Sequence, residues 1–301
     1  MPIRVTQSMM HSQPLSNITS NLKRLSKDQN TASTGKKINT PSDDPVGVTY
    51  ALRYRSELSM NEQYQKNVDM AKSYLDHTDT VMGQIGDLLQ RAKELTVQGI
   101  NGTNPQTALN AIAQEMGQIY EQVVTLGNDK MNGKYIFNGQ KTDQQPYSTA
   151  TAGTASQVDP DTQQIKFQFG AGITIPINVT GNEVFGSKSE ADNTFAVLKG
   201  IQTAFANGQP SQASALMDKL DSRLNKFLDM RAEVGARTNR VDLIDNRLGD
   251  LTQNLTALDS KVEDADMAET YTNLQMDQNV YQSSLSVGAK IVQPSLLDYL
   301  R

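Results

Sequence analysis

Residues 220–262 read LDSRLNKFLDMRAEVGARTNRVDLIDNRLGDLTQNLTALDSKV. Every seventh position from Leu220 is apolar: Leu220, Phe227, Val234, Val241, Leu248, Leu255 and Val262. Three residues beyond each stand Arg223, Met230, Arg237, Ile244, Leu251, Leu258 and Ala265, so a mixed seam becomes almost wholly apolar from Val241 onward. That alternation marks a long amphipathic helix. No proline falls between Pro210 and Pro294, and Gly235, Gly249 and Gly288 stand singly, where glycine costs about 1 kcal/mol without ending a helix. After Val262 the spacing slips to threes through Ala265, Ala268, Tyr271 and Leu274, then recovers at Tyr281 and Leu285, which predicts a local reset of register. A helix this long cannot bury its stripe against itself. The rest of the chain, or another molecule, must cover it.

Working outward, Leu15, Ile18, Leu22 and Leu25 lie three and four apart and give a second amphipathic helix, which stops near Gly35. The run Asn39-Thr-Pro-Ser-Asp-Asp-Pro-Val follows. Pro41 and Pro45 each fix a φ angle, and Asp44 is placed to cap a helix whose first residue is Pro45. We read Asn39, Pro41, Asp43, Asp44 and Pro45 as a hinge and cap. The next stripe, through Leu75, Met82, Ile85 and Leu89, ends in the cluster from Gly99 to Pro105. A further helix carries Leu109, Ile112, Met116, Ile119 and Val123 and should fold back antiparallel. Then the period changes. Tyr135-Ile-Phe looks like a short strand, and alternating Ile165, Phe167 and Phe169, a turn at Gly170-Ala-Gly172, and Ile173, Ile175 and Ile177 read as a hairpin. Helical spacing resumes at Phe195 and leads into the long seam.

The expected fold is therefore mainly α and nested. Residues 1–44 plus 265–301 form a terminal coiled coil, 45–140 plus 190–264 a helical bundle, and 141–189 a small central β-rich insertion. The bundle seam comprises Leu75, Met82, Ile85, Leu89, Val234, Val241, Leu248, Leu255 and Val262.

Catalytic chemistry finds no purchase in these residues. The chain has no Cys, two His and a net charge of -5, which excludes thiol catalysis and disulfides and gives no electrostatic footprint for nucleic acid or an anionic membrane. The carboxylate groups Asp43-Asp44, Asp159-Pro-Asp161 and Glu263-Asp264-Ala-Asp266 read as a helix cap, a turn and a solvated helix face, because no matching His supports catalysis and none belongs to an EF-hand loop. His77 lies outside any zinc-protease pattern, and Gly170-Ala-Gly172 lacks the residues of a nucleotide loop. We expect no catalytic residue, no cofactor and no metal. With no apolar leader among residues 1–20, composition alone points to the cytoplasm.

Three stretches change that reading. Ser33-Thr-Gly-Lys-Lys-Ile-Asn-Thr-Pro-Ser-Asp-Asp-Pro-Val-Gly47 resembles the N-terminal signature of bacterial flagellins, and Arg231 to Arg240 and Val262 to Ala268 resemble the C-terminal ones. The opening Ile3 to Met10, and Asn132-Gly-Lys-Tyr-Ile-Phe-Asn-Gly-Gln-Lys-Thr-Asp143 with Pro146 and Tyr147, are similar to the family members that join hook to filament. The resemblance implies a structural, non-enzymatic subunit of the flagellum, exported through the flagellar channel without a cleaved signal. Filament flagellin itself is the near alternative, and a signalling or catalytic coiled-coil protein the distant one. The implied partners are the first hook-associated protein, flagellin, copies of the same chain in a ring, and an export chaperone on the C-terminal segment. The terminal helices would then meet through Leu15, Ile18, Leu22, Leu25, Leu274, Tyr281 and Leu285, with neighbouring subunits covering what remains.

Overall fold

The computed structural model describes residues 7–101, 104–147 and 152–292. It is mainly α, with seven helices and two small antiparallel sheets among those residues: α1 (Gln7–Thr34), α2 (Pro45–Ile100), α3 (Gln106–Gly127), β1 (Lys130–Met131), β2 (Lys134–Tyr135), β3 (Lys166–Gly170), β4 (Ile173–Pro176), α4 (Gly181–Phe185), α5 (Thr194–Ala206), α6 (Pro210–Glu263) and α7 (Met267–Val292). Two compact units emerge, one from the segments up to Met60 and from Leu251 on, the other Asn61–Asp250.

The larger unit is built on one antiparallel pair. Lys72 meets Asp242 at 2.6 Å, Asp79 meets Arg231 at 2.8 Å and Lys93 meets Asp221 at 2.8 Å, so α2 and α6 run in opposite directions. Their stripes are dry: Leu75, Met82, Ile85 and Leu89 on α2, and Leu220, Phe227, Val234 and Val241 on α6, are at most 1% exposed. Each such side chain contributes about 1.5–3 kcal/mol when fully buried. The Phe227 ring lies where a Cβ on Gly86 would stand 3.2 Å away, so α2 offers a flat floor to the largest knob on α6. α3 returns antiparallel beside α2, with Arg91 paired to Glu115 at 2.8 Å and His77 to Asp129 at 2.7 Å. Leu109, Ile112, Met116, Ile119 and Val123 all face inward, and α5 covers them.

The β content is smaller than alternation suggests. Only Tyr135 of the Tyr135-Ile-Phe run is in a strand. Ile136 and Phe137 leave the ladder and plug the core, where Phe137, Tyr147, Phe185 and Phe195 pack with neighbouring ring centroids 4.8–5.6 Å apart. The second hairpin forms as expected, turning at Gly172 with φ +76 and carrying a bulge between Gln168 and Gly170.

Arg223 explains the mixed start of the seam. Its side chain is 2% exposed, yet its guanidinium pairs with Asp192 at 2.8 Å and with Glu190, and donates to the Asp192 carbonyl at 3.1 Å. Burial pushes the Asp192 carboxyl up, but the Lys226 ammonium and the Arg223 guanidinium pull harder and hold it at about 2. The charge at a seam position thus fastens the loop before α5 to α6. Truncating Arg223 to Ala leaves two carboxylates without their buried partner, and we expect a loss of about 3–5 kcal/mol in urea unfolding of the 61–250 unit. An unchanged midpoint would mean that the cluster does not hold the loop.

Candidate assembly joint

The joint begins where α1 stops. Gly35 sits at φ +71, a left-handed conformation that glycine adopts without strain, and turns the chain out of the helix. Gly35 and the two residues that follow run against the end of α6. Lys36 bridges Asp264, the Lys37 amide donates to the Glu263 carbonyl at 2.7 Å, and the Ala265 amide donates to the Gly35 carbonyl at 2.9 Å. Those backbone groups therefore leave the helical ladder. The register reset expected after Val262 is in fact a full break, and α7 restarts three residues later with Asp266 Oδ1 accepting from the Ala268 and Glu269 amides at 2.9 and 3.2 Å.

Glu263 is the centre of this arrangement. It is 4% exposed, and its Oε2 accepts from Lys36 Nζ at 2.6 Å and from the Arg55 guanidinium on α2. Burial pushes its carboxyl up, while Lys36 and Arg55 more than offset that, so it titrates below its ordinary value. Burial and the nearby Glu263 charge push Asp259, one turn earlier, the other way. Glu263 to Asp266 is consequently no solvated helix face. Sequence reading set Glu263 among solvated carboxylates and gave Lys36 and Arg55 no role, because no pattern links residues so far apart in the chain. The slip to threes after Val262 was the one available signal.

The five residues read as hinge and cap lie together. Asp43 Oδ2 accepts from the Thr40 and Asn39 amides at 2.9 and 3.1 Å and from the Thr40 hydroxyl at 3.0 Å, while Oδ1 pairs with Lys27 of α1 at 3.2 Å. Asn39 Nδ2 donates to the Lys36 carbonyl at 2.7 Å. Asp44 Oδ1 accepts from the Val46 and Gly47 amides at 3.1 and 2.9 Å, and Pro45 opens α2. Pro41 is exposed at the outer bend. A side chain on Gly47 would collide with the Asp44 carboxylate, so the cap needs a glycine there.

Beyond the joint, α1 and α7 pair antiparallel, with Arg24 3.5 Å from Asp277 and Ile18 packed over Gly288. Leu25 is buried, and Ile18, Leu274 and Tyr281 are half-buried. Leu15, Leu22 and Leu285 remain 58%, 47% and 44% exposed, as do Tyr271, Met276 and Val287. Of the long seam, Leu248 and Leu255 are buried, Val262 is half-buried, and Leu251 and Leu258 are exposed. Two helices thus cover one face of each other and leave a second apolar face open. Among the described residues no acidic or imidazole cluster could hold a metal ion, and no helix is long and apolar enough to cross a membrane.

The Thr40 amide, then the Asn39 amide and Lys27, hold the Asp43 carboxyl down from 3.8 to about 2. A depressed carboxyl stabilises the fold above its unfolded pKa and loses that contribution as the pH falls through its folded one. The contribution is at most about 2 kcal/mol, present above pH 4 and lost between pH 4 and 2. We expect Asp43→Asn to flatten the acid limb of stability in urea titrations over that window. Parallel wild-type and variant curves would remove Asp43 from the joint.

The family model for the bacterial flagellin N-terminal helical region matches residues 5–142, and that for the C-terminal helical region matches residues 217–300. Flagellar hook-associated protein 3 of Salmonella typhimurium is 28% identical, covering 94% of this chain and 95% of that protein. Flagellin of Bacillus subtilis is also 28% identical, covering 97% of each chain. Among solved structures, Bacillus cereus FlgL shares the fold with a TM-score of 0.58 at 24% identity, covering 69% of this chain and 99% of that one. The flagellar junction protein FlgL of Legionella pneumophila does so with a TM-score of 0.57 at 15% identity, covering 71% and 99%. Both halves of the joint, around Gly35 to Gly47 and around Glu263 to Asp266, fall inside the matched terminal regions, and the chain belongs to the bacterial flagellin family.

Proposed function

We propose that this chain is a structural subunit of the bacterial flagellum that joins the hook to the filament. The observation that carries the reading is the likeness to hook-associated protein 3, which runs nearly end to end through the central region as well as the terminal helices. It is supported by the segment from Asn132 to Tyr147, whose resemblance to junction members is borne by residues that build the β1–β2 hairpin and the aromatic core beneath it. The similarity to Bacillus subtilis flagellin supports a second reading, a filament subunit. A strain lacking the gene decides between them. The junction role requires hooks without filaments and flagellin released into the medium, whereas filaments that persist would overturn it. Purified protein that polymerises into long filaments by itself would favour flagellin.

In this reading the open apolar face on α1 and α7 is the assembly surface. Copies of the chain in a ring, the first hook-associated protein on one side and flagellin on the other, cover Leu15, Leu22 and Leu285. Before assembly an export chaperone lies along Leu274, Tyr281 and Leu285, and the subunit leaves the cell through the flagellar channel. A charge at Leu285 is incompatible with such a face. We expect Leu285→Asp to abolish incorporation into flagella, scored by immunogold labelling at hook ends, with the thermal melting of the 61–250 unit unchanged. Normal labelling would place the assembly surface elsewhere.

A further inference from the structure

Three Asn-Gly pairs lie wholly within the described residues: Asn132-Gly133, Asn138-Gly139 and Asn207-Gly208. A fourth, Asn101-Gly102, runs past them. Such pairs share one intrinsic chemistry, because a glycine amide nitrogen is the least hindered nucleophile available to the preceding side chain. Here their surroundings differ. Asn138 is 5% exposed, its Nδ2 donates to the Lys141 and Gln144 carbonyls at 3.1 and 2.9 Å, and its Oδ1 accepts from the Asp161 amide at 3.0 Å. The space beside Gly139 is filled by Asp161. Asn207 is exposed, but the Gly208 amide donates to the Phe205 carbonyl at 3.0 Å, and Gln106 crowds the same glycine.

Neither restraint applies to Asn132. It is exposed at the tip of the β1–β2 hairpin, at φ 51 with Gly133 at φ 78, the pair of positive angles of a two-residue primed turn. Among the described residues its side chain makes no hydrogen bond, the Gly133 amide has no acceptor, and nothing lies within 4 Å of the Cβ position on Gly133. Each strand is two residues long, so the turn can open at little cost.

We infer that Asn132 is a deamidation site, the one Asn-Gly pair of the three whose chemistry the fold leaves free. The Gly133 nitrogen, giving up its proton to base, attacks Asn132 Cγ. The new C–N bond closes a five-membered succinimide, and the side-chain nitrogen leaves as ammonia with the proton returned. Water then opens the ring at either carbonyl, giving aspartate or isoaspartate. The sum is amide plus water to acid plus ammonia, with no oxidant or other reagent. Either product places a carboxylate between Lys130 and Lys134, and Lys130 already lies 4.4 Å from the centre of the Tyr135 ring. Isoaspartate also adds a backbone carbon to a turn whose register depends on two residues. The hairpin lines a groove of about 820 Å³ with Met70, Tyr74 and Phe167, so this chemistry would remodel one wall of it.

Full-length protein incubated at mildly alkaline pH, native and in urea, tests the inference. Ammonia release is followed, and tryptic peptides are scored by mass and by isoaspartyl methylation. In urea all the Asn-Gly pairs should convert at comparable rates. In the native protein conversion should concentrate in the Met131–Lys134 peptide, several-fold faster than at Asn138 or Asn207, and Asn132→Gln should remove it. Native conversion at Asn138 or Asn207 that matches or exceeds Asn132, or an intact Asn132 when the urea sample has reacted, would overturn it.

Discussion

A single buried carboxylate organises the terminal unit. Glu263 draws Lys36 from the segment after α1 and Arg55 from α2 onto one oxygen, while its own carbonyl takes the Lys37 amide. Desolvating a carboxylate is costly, and it is tolerated here because two cations and a backbone bridge converge on it. Four chain segments become fixed with respect to one another: the end of α1, the start of α2, the end of α6 and the start of α7. The geometry is set by direction as much as by energy. Hydrogen bonds from defined atoms fix angles between helices, which apolar contact alone does not.

The 61–250 unit works by the opposite rule. There the seam is dry, and orientation follows from knobs such as Phe227 seated over Gly86, with ion pairs only along its edges. The exception is Arg223, and it too is directional, since it fastens an irregular loop that could not be held by periodic packing.

Most of the architecture was legible in the sequence because it is periodic. Helix faces repeat, and Pro45, Asp44, Gly35 and the turn glycines punctuate them with known backbone preferences. The apolar faces of α2, α3, α5 and α6 repeat at helical spacing in the sequence. What escaped was set by single partners far apart in sequence. Nothing about Glu263 alone announces that Lys36 and Arg55 will meet it, and nothing about Arg223 announces Asp192. The extent of the β region was also overstated, because alternation in Ile136 and Phe137 reads as a strand when those side chains in fact turn into an aromatic core. The terminal stripes were visible as apolar patterns. Only the structure separates Leu25, which is buried, from Leu15 and Leu22, which stay exposed among the described residues.

The bridge between Lys36 and Glu263 spans 227 residues, and that separation bears on the order of events. A contact of such range repays its loop-closure entropy only after the intervening chain has become compact. During synthesis, moreover, the whole 61–250 unit is present before residue 263 exists. The bundle can therefore mature while α1 waits without the partners that residues 263–292 supply. Closure of the joint waits on residues 263–266, which follow the whole of the 61–250 unit in the sequence.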